Sequence, residues 1–227
     1  MKKMKVIAIN GSPRKNKNTA LLLEKALEGA RAQGAETRMV HLYDLNFKGC
    51  VSCFACKLKG GKSYGKCTYR DELTPVLEEI ATADAIVLGS PLYFASVTGE
   101  MRSFMERLMF PYLTYTEGYQ SLFVRKINTG FIYTMNVTSQ QMEHAGYLDI
   151  LRFVDNYLKR IFGHSEFLLV NDTYQFDDYS KYVVTVFDAD KKAKVREEEF
   201  PGHCDKAYAM GASFAGASPS TTISITL

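Results

Sequence analysis

The sequence predicts an α/β fold, a three-layer doubly wound sandwich with a parallel sheet between two layers of helices. Two patterns predict it. Five apolar runs of strand length lie at about 4–10, 36–42, 84–89, 127–135 and 166–171, and Ala85-Ile86-Val87-Leu88 and Phe167-Leu168-Leu169-Val170 are continuous rather than alternating. Continuous runs are what strands covered on both faces look like. Between the runs sit apolar stripes at spacings of three and four, the signature of helices with one buried face. Crossovers of that length join parallel neighbours.

Each element follows in order. The strand Val6-Ile7-Ala8-Ile9 runs directly into a polar loop, Asn10-Gly11-Ser12-Pro13-Arg14-Lys15-Asn16-Lys17-Asn18-Thr19. The first helical stripe is Leu23, Ala26, Leu27 and Ala30. After the second strand, a cysteine-rich stretch at about 47–70 reads as an insertion. The second stripe is Leu73, Leu77 and Ile80, with Thr74-Pro75 suited to N-cap and N1. Met101, Phe104, Met105 and Leu108 form the third, followed by an aromatic extension, Phe110 to Tyr115. Leu151, Val154, Leu158 and Ile161 form the fourth, and Gly163 suits a C′ position. From about 172 an irregular extension is expected, in which Tyr174-Gln175-Phe176-Asp177-Asp178-Tyr179 can cover the sheet edge. Within it Tyr182 to Phe187 reads as a further strand or a helix start, and Ala207, Met210, Gly211 and Phe214 as a last helical stripe. The tail from Ala212 ends Thr221-Thr222-Ile223-Ser224-Ile225-Thr226-Leu227, read as an added edge strand or, preferably, a frayed terminus.

Composition narrows the function classes. The 227 residues are 46% hydrophobic and 23% charged with a formal charge of +3, which describes one globular domain carrying the insertion and the extension. The small, evenly spread basic excess argues against nucleic acid. The apolar run behind Met1-Lys2-Lys3 stops at Asn10, too short for a signal peptide, and no stretch reaches transmembrane length. No membrane partner is expected. Five cysteines, four of them between 50 and 67, suggest a reducing compartment, hence the cytoplasm, and metal or redox chemistry.

Loops at the carboxyl ends of the strands decide the ligand. Gly11 stands alone before Arg14, so the dinucleotide fingerprint G-x-G-x-x-G is absent, as are a C-x5-R loop and an aspartate at the end of the third strand, where Gly89-Ser90-Pro91 stands. What remains is a flavodoxin-like sheet of order 2-1-3-4-5 with its ligand at the switch point. Backbone N–H groups at the first helix, with Ser12, Arg14, Asn18 and Thr19, can converge on one phosphate. Pro91-Leu92-Tyr93-Phe94 offers the flat apolar wall an isoalloxazine ring needs, and the loop through Thr134 and Asn136 can meet the ring edge or ribityl chain.

Asn10-Gly-Ser-Pro-Arg with Asn18-Thr19, then Gly89-Ser-Pro-Leu-Tyr-Phe and Thr98-Gly-Glu-Met-Arg, resembles the NADPH-dependent FMN reductase and iron-sulfur flavoprotein branch of the flavodoxin-like superfamily. The resemblance spans about residues 4–172. It implies that Ser12, Arg14, Asn18 and Thr19 hold the FMN phosphate, and that Pro91, Leu92, Tyr93 and Phe94 touch the ring. It also implies NAD(P)H as co-substrate, a small-molecule electron acceptor, and a homodimer or homotetramer, with Phe110 to Tyr115 either at the subunit contact or packed on its own chain.

Cys50, Cys53 and Cys56 form C-x-x-C-x-x-C, and Cys67 follows after ten residues, with Lys57, Lys59, Lys62 and Lys66 around them. Three thiolates at this spacing plus a fourth can bind an iron-sulfur cluster. Zinc, an exchangeable disulfide and free thiols beside the flavin are the other readings. The principal expectation is an NAD(P)H-dependent FMN oxidoreductase in which the flavin, not a side chain, performs the redox chemistry. The alternatives are an iron-sulfur electron carrier and a flavin-binding regulatory module. Cys204 is expected to be a small core residue, and the scattered histidines receive no role.

Overall fold

A computed structural model describes residues 3–216. Its strands are β1 (Lys5–Asn10), β2 (Glu36–His41), β3 (Ala85–Tyr93), β4 (Ser96–Val97), β5 (Ile127–Thr134) and β6 (Gly163–Val170). The parallel strands are ordered β2-β1-β3-β5-β6, while β4 pairs antiparallel with the end of β3. Setting that hairpin strand aside, this is the expected 2-1-3-4-5 order. The helices are α1 (Asn18–Ala32), α2 (Thr74–Ile80), α3 (Gly99–Met109), α4 (Ser139–His144), α5 (Tyr147–Phe162), α6 (Ala189–Glu198) and α7 (Phe200–Gly216).

Strand pleating splits the core into two layers. Val6 and Ala8 of β1 point to the face covered by α1 and α7, together with Ala85, Val87 and Ile132. Ile7 and Ile9 point to the opposite face, against Val76 of α2, Phe104 of α3 and Leu158 of α5. All eight residues of β5 are buried, as a central strand with helices on both sides requires. On the first face α1 and α7 approach unusually closely. A Cβ on Gly29 would lie 2.0 Å from the Tyr208 carbonyl oxygen, and one on Gly211 would lie 1.7 Å from that of Ala26.

Some boundaries differ from the sequence pattern. β3 continues to Tyr93, because Leu92 and Tyr93 find partners in Val97 and Ser96. The N-cap of α2 is Leu73, with Thr74-Pro75 inside its first turn. Tyr182–Phe187 forms neither strand nor helix. Its Val183 is fully exposed and the Tyr182 ring stacks on Phe176 at 4.1 Å, so local aromatic packing replaces sheet pairing. Cys204 is half-buried against the α1 and α7 layer, consistent with a packing role. The tail from 217 lies outside the described residues. Among the described residues, no helix is long and apolar enough to cross a membrane.

Candidate functional site

The carboxyl ends of β1, β3 and β5 meet at one edge of the sheet, and short bonds between their loops lock them together. Asn10 is fully buried. Its Oδ1 accepts from the Ser12 N–H at 2.9 Å, and its Nδ2 lies 2.9 Å from Nδ1 of His41, so the ends of β1 and β2 are tied by side chains. The Ser12 hydroxyl accepts from the Arg14 N–H at 3.1 Å. The Gly11 N–H donates to the Gly89 carbonyl at 2.8 Å, and a Cβ on Gly11 would fall 2.8 Å from Cβ of Met101. Only glycine permits that approach.

Beyond this loop α1 begins without a side-chain cap at Lys17, and its first turn carries no acidic residue. Uncapped N–H groups and the positive end of a 15-residue helix therefore face the loop, flanked by Arg14, Lys15 and Lys17. That is an anion-binding arrangement. Of the four residues expected to hold a phosphate, Ser12 and Arg14 lie in the loop itself. Asn18 and Thr19 are buried at the helix start, where the Thr19 hydroxyl is 2.8 Å from that of Thr134.

The second expected element, Pro91 to Phe94, is part of a two-residue hairpin. Its turn residues Phe94 and Ala95 have φ of +52° and +62°, a conformation usually left to Asn-Gly pairs. Left-handed backbone costs a non-glycine residue about 1–2 kcal/mol, and it exposes the Phe94 side chain fully. Tyr93 is also exposed, whereas Leu92 packs against the α3 layer. Thr98 closes the hairpin. Its Oγ1 donates to the Gly11 carbonyl at 2.7 Å and accepts from the Met101 N–H, capping α3, while its own N–H donates to the Ser90 hydroxyl. Sequence reasoning assigned Thr98 no site role, although a threonine immediately before an apolar helical stripe is an N-cap signal. It also missed Tyr43, beside Glu100 and Thr98. Partial burial, then the Glu100 carboxylate, pushes its phenol up to about 12.

The third loop brings Thr134 and Asn136 to the same edge. Asn136 Oδ1 is buried without a partner, while its Nδ2 donates to Gln175 Oε1 at 3.0 Å. Over this edge runs a strap, residues 174–177, within the Tyr174–Tyr179 stretch expected to cover the sheet edge. Arg14 Nη1 donates to the Gln175 carbonyl at 2.6 Å, Asn18 Nδ2 to the Tyr174 carbonyl at 2.9 Å, and Lys17 pairs with Asp177. Lys192 of α6 anchors the strap's base through the Asn136 carbonyl and Asp172.

The cysteines form a separate region. Cys50 and Cys53 are exposed, Cys67 is half-buried and Cys56 is buried, which raises the Cys56 thiol pKa. All four line one small cleft beside Glu106 and Arg107. Sharing a cleft is a looser condition than ligation, and among the described residues no three His, Cys, Asp or Glu side chains stand at metal-ligand spacing. Ser52 and Phe54, on either side of Cys53, have φ of +53° and +55°. The segment hangs from α3. Arg107 donates to the carbonyls of Lys48 and Tyr69 and pairs with Asp71, and Glu106 accepts from the Cys50 N–H at 3.2 Å. Lys57 is not a free charge beside the thiols. Its ammonium is spent on the carbonyls of Phe110, Pro111 and Leu113, and burial lowers its pKa. In the aromatic extension, Tyr112 packs on its own chain against Phe123 at 5.0 Å, and Tyr115 remains exposed.

Known proteins resemble this chain in sequence and in fold. Over 104 residues the chain is 44% identical to an iron-sulfur flavoprotein of Archaeoglobus fulgidus, covering 46% of this chain and 48% of the relative. It is 39% identical over 104 residues to an iron-sulfur flavoprotein of Methanocaldococcus jannaschii, covering 46% and 51%. The match thus spans about half the length of these curated relatives. Among solved structures, the NAD(P)H:quinone oxidoreductase from Methanothermobacter marburgensis superposes with a TM-score of 0.66 at 16% identity, over 93% of this chain and 97% of that one. At that identity the likeness speaks for the fold alone. The model of NADPH-dependent FMN reductases matches residues 4–144, the stretch holding the first two loops, the cysteine segment and the Thr134–Asn136 turn. With the parallel sheet and its interlocked edge, this places the chain in the NADPH-dependent FMN reductase family.

Proposed function

We propose that this protein is an FMN-dependent oxidoreductase that takes reducing equivalents from NAD(P)H and hands them to a small acceptor such as a flavin or quinone. The observation that carries the reading is the uncapped, cationic start of α1 locked through Gly11 and Thr98 to a strained hairpin that presents Tyr93 and Phe94. The residues fit a phosphate-bearing flavin. The N–H groups of the α1 start, the Ser12 hydroxyl and the Arg14 guanidinium would hold the phosphomonoester. Pro91, Leu92, Tyr93 and Phe94 would wall the ring, and the unpartnered Asn136 Oδ1 would accept from a ring-edge or ribityl donor. Asn18 and Thr19 would act by fixing the loop. The strap at 174–177 would lie over the phosphate and screen it from water.

Bound FMN supplies the hydride chemistry, and the chain supplies binding, orientation and exclusion of water. In this reading the protein works as a homodimer or homotetramer in the cytoplasm. The test is FMN titration of the apoprotein and of the Ser12→Ala/Arg14→Ala double variant, with NAD(P)H oxidation measured using quinone, flavin and ferric acceptors. The double variant should bind FMN at least tenfold more weakly, from the loss of charge-assisted bonds worth roughly 1.5–3 kcal/mol each. Undiminished affinity would falsify the phosphate assignment. Tight FMN binding with no NAD(P)H oxidation would leave a flavin-binding regulatory module instead.

A second reading is favoured by the shared cleft of the four cysteines. There Cys50, Cys53, Cys56 and Cys67 would hold an iron-sulfur cluster supplying one-electron chemistry beside the flavin. Thiolate donors suit such a cluster in kind, but their spread requires the segment to draw inward. Iron and sulfide analysis after anaerobic purification decides it, and absence of both rejects it.

A further inference from the structure

The extension after β6 doubles back across the carboxyl edge of the sheet, and residues 174–177 meet side chains of the loop that would hold a phosphate. Three groups make the contact. The Tyr174 carbonyl accepts from Asn18 Nδ2 at 2.9 Å, the Gln175 carbonyl accepts from Arg14 Nη1 at 2.6 Å, and the Asp177 carboxylate pairs with Lys17. Gln175 also reaches the loop after β5, where its Oε1 accepts from Asn136 Nδ2 at 3.0 Å, and its N–H donates to the Tyr179 hydroxyl at 3.0 Å. One residue thus ties both ends of the site. Tyr179 packs on Tyr174 and Phe176 with ring centroids 5.1 and 5.2 Å apart, giving the strap a small aromatic core of its own. From α6, buried Lys192 holds the Asn136 carbonyl and Arg196 donates to Asn18 Oδ1 at 3.0 Å. The strap is a built element, braced from two sides.

Its chemistry toward the start of α1 is one-sided, because the three groups it offers there are all acceptors and one of them is charged. We propose that the strap selects the flavin: it admits one that ends in a phosphomonoester, FMN, and rejects one that continues through a pyrophosphate to a nucleoside, FAD. This inference rests on the flavin reading above and adds what sets the choice of flavin. FMN and FAD share the ring, the ribityl chain and the first phosphate, so every attractive contact open to one is open to the other. Discrimination then has to come from what the rest of FAD meets. A terminal phosphate needs no outlet on its far side. A second phosphate would have to leave past the carbonyls of Tyr174 and Gln175, bringing its anionic oxygens against them and against Asp177, and like charges so placed are unfavourable. Gln175 is the positioning residue that holds the strap across that outlet.

The test is calorimetric titration of the apoprotein, as the full chain, with FMN, FAD and riboflavin. FMN should bind at least about a hundredfold more tightly than FAD. Replacing Tyr174-Gln175-Phe176-Asp177 by Gly-Ser-Gly-Ser should bring the two flavins within about tenfold of each other. The milder Gln175→Ala and Asp177→Asn, which keep the backbone length, should each narrow the ratio by about two- to threefold. The readout is the ratio of the two affinities, which a merely structural strap would leave unchanged even where the melting temperature falls. Equal affinity for FMN and FAD in the unaltered chain, or a ratio that no strap variant moves, would overturn the assignment and leave the flavin reading standing. Binding of neither flavin would overturn both. Riboflavin held as tightly as FMN would reject the phosphate site, and the role of the strap with it.

Discussion

The loop at 10–19 and the cysteine segment at 47–70 both lack extended regular structure, yet they are held by opposite means. The first is fastened by its own backbone and by short side chains to neighbouring strand ends: Gly11 to Gly89, Thr98 to Gly11, Thr19 to Thr134. The second hangs on long charged side chains, with Arg107 and Glu106 reaching out from α3 and Lys57 reaching back to the chain after it. Short tethers to a sheet leave a preorganised cradle with spare donors at the α1 start. Long tethers make order conditional on a few charges, and such a region is the one expected to open locally first.

The comparison breaks most readily at Arg107. Arg107→Met removes one partner of a buried pair, strands Asp71 and leaves two carbonyls without their donors, at a cost of about 3–5 kcal/mol. Urea unfolding should show that loss, and limited proteolysis should cut first between 47 and 71. A loss below about 1 kcal/mol would mean that the segment is held by something else. Next is Gly11→Ala, whose Cβ meets Met101. Overpacking of this kind costs about 1–3 kcal/mol, and because it pries the loop from β3 it should release FMN more than it lowers the melting temperature. FMN retention on gel filtration separates the two effects.

Thr98→Val should cost about 1 kcal/mol as a lost helix cap and also weaken FMN, whereas a cap-only role would leave flavin affinity untouched. The smallest effect concerns the strap. The hydrogen bond and charge of Lys17 hold Asp177 below the ordinary carboxylate pKa. Its contribution is therefore complete above the unfolded value and fades as pH falls through the lower folded one. FMN dissociation should quicken slightly over that acid range and lose this component in Asp177→Asn. An unchanged pH profile in that variant would show that the strap does not cover the phosphate.

Much of the first region was legible because its signals are local. A buried strand, one glycine and an uncapped helix start lie within fifteen residues, and the alternation of Val6, Ile7, Ala8 and Ile9 sets both core layers. The Pro91–Phe94 loop was found, but its hairpin was not, since Phe94-Ala95 lacks the residues that announce such a turn. That Tyr174 to Tyr179 could cover the sheet edge was legible, but its anchoring was not, because it rests on contacts such as Arg14 to Gln175, separated by 161 positions. Arg107 was hidden within a helical stripe, where a charged residue ordinarily signals a solvated face. The cysteine spacing was plain, yet spacing cannot say whether thiols will converge.

The glycine contact between α1 and α7 has a consequence for how the protein is made. Gly29 and Gly211 are 182 positions apart, so α1 leaves the ribosome long before α7, which covers its apolar face. Until then Leu22, Leu23 and Ala26 line a slot with no lid. Nascent chains halted before residue 200 should be targets for chaperones that grip apolar helices, and pulldown from stalled ribosomes would show whether capture ends once residue 216 has emerged.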